Sequence, residues 1–328
     1  MPLAYIPSPA RSVWHLGPMP LRAQALCVVA GILLAIYVAD RRYRATGGPR
    51  GVIMDVAAWA VPAGLVPAIF GALLARAQPG ALQDLRTWDQ VAGFPAAVAC
   101  GAAGAWLGCL TMRGLAARVT GTAAIGPAGA ARPGHVTGGV PGAAAGTAAS
   151  RTRGRGAPIR RAARLKVGPV AGAAAPALLL GHALAMAGEW FTQRGYGRPS
   201  SLWWAVEIAP AHRVPGLENF ATFQPVFAYQ ALWDVAAGMA LIYVAHRFTL
   251  SGGQAFALAC AAYAAGGFPL FWLGNAHSPG VLGFSASTLG YAALLIAAGT
   301  CFVRLRRGHI ASSQPAGGVP LERSRPLM

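Results

Sequence analysis

The sequence predicts an all-α integral membrane protein with seven transmembrane helices, its N-terminus outside and its C-terminus cytoplasmic. Three observations lead there. Of 328 residues, 55% are hydrophobic and only 11% charged, with a mean hydropathy of +0.48. A soluble domain carries about 25% charged residues, so this chain cannot cover itself with a water-facing surface. The apolar residues gather into seven runs of about 20, the length that crosses a hydrocarbon core. The basic residues concentrate between alternate runs, as the positive-inside rule requires.

The elements follow in order. Residues 1–20 form an external segment in which Pro7, Pro9, Pro18 and Pro20 prevent regular helix. They lack the basic n-region and apolar core of a signal peptide, so the first span is expected to be retained. Spans are expected near Leu21–Ala39, Met54–Ala75, Val91–Met112, Pro169–Phe191, Val226–Ala245, Gln254–Leu273 and Val281–Val303. Pro62, Pro67, Pro95, Pro176 and Pro269 fall inside these runs, where neighbouring helices can rescue the freed backbone groups.

The first three spans occupy residues 21–112 and the last four residues 168–303. Between them lies 113–167, whose Gly114–Gly156 portion has almost no large apolar side chain. Such a stretch cannot offset its ordering entropy, and a disordered basic cytoplasmic loop is expected. Its glycines follow no strand, which argues against a nucleotide-binding loop. The external loop 192–225 carries Trp203, Trp204, Glu207, His212, Arg213 and Glu218, a mix suited to a lid on the membrane interface. Residues 304–328 form a cytoplasmic tail that opens on RLRRGH.

Orientation comes from counting cations. With the N-terminus outside, the outer side holds Arg11, Arg22, Arg76, Arg86, Arg194, Arg198 and Arg213, and the inner side takes the rest of the 27 Lys+Arg. The net charge of +18 therefore lies mostly on cytoplasmic loops that face anionic lipid. No aromatic residue interleaves Arg153–Lys166, so a nucleic-acid partner is disfavoured. Cys27, Cys100, Cys109, Cys260 and Cys301 all lie in predicted spans and form no CxxC pair. His15, His212, His246 and His277 are scattered. Neither a disulfide framework, nor a metal site, nor a cofactor is indicated.

One span differs from the others. Pro169–Pro199 carries His182, Glu189, Gln193 and Arg194 at or near one end. At helical spacing His182, Met186, Glu189 and Gln193 share a face. Charge at membrane depth is costly and faces protein or trapped water, which marks this stripe as a candidate site. The same residues also suit a polar anchor at the membrane surface, with Glu189 and Arg194 snorkelling.

Three stretches resemble prolipoprotein diacylglyceryl transferases, especially the actinobacterial form. They are IPSPARSVWHLGPMPLRAQALC (Ile6–Cys27), EWFTQRGYGRPSSLWWAVEI (Glu189–Ile208) and ATFQPVFAYQALWD (Ala221–Asp234). The last two are similar to the family's GNWFNQELYGRPT and ATYHPTFLYESLWN. The resemblance covers most of the chain outside 114–166 and the tail. It implies the same seven-span topology in a bacterial cytoplasmic membrane. It also implies transfer of diacylglyceryl from phosphatidylglycerol to the lipobox cysteine of a preprolipoprotein, whose signal segment would be a partner. That chemistry needs a base for the thiol, because the thiolate is the nucleophile, and cationic donors for the departing phosphate.

Carried across residue by residue, Tyr196, Gly197, Arg198 and Pro199 match the YGRP element. Other positions are substituted. The family's arginine in the signature helix is Met186 and its asparagine is Glu189, while NQE becomes Thr192, Gln193 and Arg194. The tyrosine of the first helix is Gln24. The GRLYH-like element reads Ala68–Ala72, and the glycine turn reads Trp88–Gly93. In the fifth span the histidine and glutamate are Gln224 and Gln230. In the sixth, the arginine, glutamate and second arginine are Gly267, Phe271 and Gly274.

Two expectations follow. In one, Glu189 or His182 takes the thiol proton. Arg194 and Arg198 meet the lipid phosphate, and Gln193, Tyr196, Gly197 and Tyr229 line the substrate site. In the other, the lost charges leave little catalysis, and the chain is a non-catalytic paralogue that binds lipid or a lipoprotein segment.

Overall fold

A computed structural model describes residues 5–9, 11–77, 100–101, 103–111, 167–274 and 286–313. It is mostly helical. The helices are α1 (Ala23–Ala45), α2 (Val52–Ala77), α3 (Val167–Met186), α4 (Gly188–Thr192), α5 (Val226–Arg247), α6 (Gly252–Leu273) and α7 (Ala286–Ser313). Residues 103–111 are helical as well. Four helices are long and apolar enough to cross a membrane: Ala23–Ala45, Val167–Thr192, Val226–Arg247 and Thr288–Arg307. Half of the expected third span, the start of the seventh, and the loop 113–166 lie outside the described residues. α7 runs past the expected start of the tail as far as Ser313.

The exposed faces argue for lipid. On α1, Leu26, Val29, Leu33 and Tyr37 recur at helical spacing and are all exposed, as are Leu232, Val235, Met239 and Tyr243 on α5. Soluble monomers rarely expose apolar stripes of this extent.

α3 is the central element, packing against α1, α5 and α6. Being apolar on every face, it buries well on all sides. Ala39, Tyr43, Val56, Cys109, Val170 and Ala177 belong to a core between α1, α2, residues 103–111 and α3. On the other side Ala175, Leu179, Leu241, Ala255, Ala259 and Tyr263 fill the α3–α5–α6 junction. Small residues set the α1–α3 distance: a Cβ on Gly31 or Gly181 would strike the other's carbonyl oxygen. Such close backbone approach is how helices gain van der Waals contact where the hydrophobic effect is absent.

The all-α expectation needs one correction. Four short strands form two antiparallel pairs, β1 (Val13–Leu16) with β2 (Met19–Arg22), and β3 (Val206–Glu207) with β4 (Thr222–Phe223). The first hairpin turns at Gly17, whose φ of 65° belongs to the primed turns that match strand twist. Prolines forbade helix here but allowed an edge ribbon. Ile6 pairs with Val206, Pro199 with Phe223, and Gly197 with Gly274. The N-terminal segment, the 193–225 loop and the end of α6 thus share one hydrogen-bonded cap. The expected lid is a folded cap with its own core of Tyr196, Val206, Ile208 and Phe223.

Candidate functional site

The signature helix does not run unbroken through Gln193. α3 stops at Met186, and α4 restarts at Gly188 and ends at Thr192, capped by Gln193 in the left-handed conformation with φ 53°. The reason is local: Gly188 packs closely on Gln24 and Cys27 of α1, and the chain must then turn into the cap. The continuous four-residue stripe expected from helical spacing is therefore interrupted. Gln193 is buried, and its Oε1 accepts the Ala209 N–H at 2.7 Å, fastening the cap.

Glu189 faces α1, where its Oε1 accepts Gln24 Nε2 at 2.7 Å. Two positions that depart from the family pattern therefore meet. Arg194 and Arg198 are exposed, and among the described residues neither guanidinium makes a hydrogen bond or ion pair. Their backbones are fixed: Arg194 N–H donates to Glu189 O at 3.1 Å, and Arg198 N–H to Leu273 O at 2.9 Å. Gly197 between them lies so close to the Leu273 carbonyl that a side chain could not be accommodated.

The remaining expected residues hold the cap. Tyr196 Oη donates to His212 O at 2.7 Å and accepts the Val214 N–H at 2.9 Å. Burial pushes its phenol above the ordinary 10.0, against the opposing pull of the Val214 N–H and Arg213. Trp204 Nε1 donates to Tyr229 Oη at 2.7 Å, tying the cap to α5. Arg213 Nε donates to Ile208 O at 2.9 Å, so its charge serves the loop's own backbone.

The second polar group lies deeper. His182 Nδ1 is 2.6 Å from Asp234 Oδ2, and Gln230 Nε2 donates to Asp234 Oδ1 at 2.9 Å. Asp234 is fully buried. The His182 ring stands edge-on to Tyr263, with centroids 5.2 Å apart, and Tyr263 reaches Tyr291 on α7. The sequence reading missed Asp234 and Tyr263. One signal was present: the fifth-span motif ends on Asp234 where the family's ends on asparagine.

Among the substituted sixth-span positions, Gly267 is covered by another side chain. The Tyr291 ring lies against Gly267, where an arginine side chain would otherwise project. Gly274 forms the backbone bridge to Gly197. Ala68–Ala72 lies on α2 with side chains outside the described residues, and Trp88–Gly93 lies wholly outside them. Among the described residues no three or more His, Cys, Asp or Glu converge on a metal position.

Apolar outward-facing helices, a polar end beneath a folded cap and exposed cations at its rim define a multi-helix membrane protein with a candidate site at one end of its bundle. The sequence profile described as prolipoprotein diacylglyceryl transferase matches residues 138–303. A phosphatidylglycerol–prolipoprotein diacylglyceryl transferase of Streptomyces coelicolor, the second so named there, is 33% identical over 97% of this chain and 87% of its own length. The Rhodococcus jostii protein named phosphatidylglycerol–prolipoprotein diacylglyceryl transferase is 31% identical over 97% of this chain and 80% of its own. This chain belongs to the prolipoprotein diacylglyceryl transferase family.

Proposed function

We propose that the protein transfers diacylglyceryl from phosphatidylglycerol to the lipobox cysteine of a preprolipoprotein, at a site on the outer side of a bacterial cytoplasmic membrane. The observation that carries this reading is the pair of exposed guanidinium groups of Arg194 and Arg198, held on a fixed backbone and making no hydrogen bond or ion pair among the described residues. Arginine forks suit a phosphate that gains charge as it leaves, and donors fixed in advance need little reorganisation. Glu189 or His182 accepts the thiol proton, and Gln193, Tyr196, Gly197 and Tyr229 shape the entrance. The arrangement is seven spans with the N-terminus outside. The organisation is 1–20 external, 21–112 and 168–303 spanning, 113–167 and 304–328 cytoplasmic.

A second reading, a paralogue that binds lipid or the signal segment without turnover, is favoured by the Tyr291 ring filling the Gly267 position. One experiment separates the two. The chain is expressed in a membrane depleted of its own transferase, and a lipobox substrate is weighed. A gain of one diacylglyceryl group, reduced in Arg194→Ala and Arg198→Ala, is expected. No gain despite correct insertion sinks the transferase reading and leaves the binding paralogue.

A further inference from the structure

Between α5 and α6 runs an apolar groove of about 380 Å³. Trp233, Ala237, Ala240 and Val244 line it from α5, and Leu258 and Ala262 from α6. The α5 residues are three or four positions apart, so they share one helix face, and the alanines among them leave the furrow open. The helix rises about 16 Å between Trp233 and Val244, roughly half the thickness of a hydrocarbon core. The groove is thus about as long as one leaflet is deep.

Its two ends differ. On the cap side Trp233 Nε1 donates to Ala262 O at 2.8 Å, and the indole lies on Gly266, where a Cβ would strike the ring. The indole therefore bridges α5 and α6 and closes that end. At the far end Val244 is one turn from Arg247, on the same face of α5. Arg247 is exposed, its guanidinium lies 5.7 Å from the centroid of the Phe248 ring, and it forms no ion pair among the described residues. No acid offsets it nearby in sequence. Across α5, α6 and the turn between them the single acidic residue is Asp234, which is fully buried and bonded to His182.

We propose that this groove binds an anionic phospholipid of the leaflet opposite the cap, with one acyl chain in the furrow up to Trp233 and the headgroup phosphate against Arg247. An apolar furrow closed at one end and flanked by a guanidinium at the other matches a lipid tail and its phosphate in both polarity and order. A parallel second copy packed on the same face would set Arg247 against its own counterpart, a like-charge contact that disfavours that occupant. The site lies at the other end of α5 from Arg194 and Arg198, and it does not rest on the transferase reading. The lipid is held there, not consumed, and stabilises the bundle by mass action.

The test uses the purified full chain in phosphatidylcholine vesicles doped with phosphatidylglycerol that carries a diazirine at the end of one acyl chain. Crosslinked peptides are mapped by mass, and labelling of residues 233–240 and of Ala262 is expected. Arg247→Gln is expected to lower that labelling about fivefold, the worth of one cation at an anionic surface. Ala240→Leu, at an exposed position, fills the furrow and is expected to lower it at least as much. If Ala240→Leu fails to insert, Ala236→Leu, also exposed, takes its place. Equal labelling by the phosphatidylcholine analogue, or labelling that the variants leave intact, reduces the groove to ordinary lipid contact and overturns the proposal. Label on residues 244–251 instead turns the lipid over, into the cap-side leaflet, and overturns it too. Crosslinks between α5 helices of two copies give the groove to a dimer and do the same. A chain that is labelled as expected but transfers no diacylglyceryl upholds the lipid site while the transferase reading fails.

Discussion

Tyr196 shows how one hydroxyl organises the entrance. Its Oη both donates to His212 O and accepts from Val214 N–H, so the phenol is the hinge pin of the 210–214 turn. Tyr196→Phe removes both bonds to the exposed His212 and Val214 backbone, each worth about 0.5–1.5 kcal/mol. Faster proteolysis of the cap, with the helices intact, is the expected readout. The same group sets a pH limit. Its pKa lies above the ordinary 10.0 because burial disfavours the phenolate. A raised pKa gives stability that is complete below pH 10 and lost as pH climbs through the folded value. Cap proteolysis is therefore expected to be flat from neutral to about pH 10 and to accelerate above it; acceleration confined to acid pH would refute this. Asp234 marks the limit of reading residues one at a time. A lone aspartate in an apolar helix names no partner, and its partner, His182, is 52 positions away on another element. Glu189 was legible as a polar residue at a span's end, but not its bond to Gln24.

Among elements, hydropathy located the four helices that are long and apolar enough to cross a membrane, because crossing a bilayer imposes length and composition on each helix separately. The strands escaped it: two to four residues are too short for a period-2 pattern, and their pairing is decided by the cap. The break at Ala187 escaped too, since it answers to Gly188 packing on α1. Interfaces between elements give two predictions. Gly181→Leu drives a side chain into the Gly31 carbonyl, so α1 and α3 must part. The melting temperature in detergent is expected to fall, by an overpacking cost of about 1–3 kcal/mol. At the α3–α5 junction, removing His182 leaves the buried Asp234 carboxyl with the Gln230 amide alone, at about 1–3 kcal/mol. His182→Leu with Asp234→Leu removes both, and is expected to be more stable than at least one of the singles. Additive losses in that cycle would show that the pair is not coupled.

At the scale of the whole molecule, the cap and the cation distribution must agree about sidedness. The cap gathers residues 5–9, the β1–β2 hairpin, residues 193–224 and the end of α6 at one end of the bundle. Opposite it lie Arg41, Arg42 and Arg44 at the end of α1, Arg247 at the end of α5, and the turn at Ser251. The positive-inside rule predicts that second end in the cytoplasm, and the proposed transferase reading then needs the cap to face outward. Cysteine labelling tests this without reference to activity. In a variant lacking the five native cysteines, Ser200→Cys in the cap should react with a membrane-impermeant maleimide in intact cells. Ser251→Cys, between α5 and α6, should react only after the membrane is opened. The reverse pattern would put the site on the cytoplasmic side, away from exported substrates, and would defeat the topology and the transferase reading together.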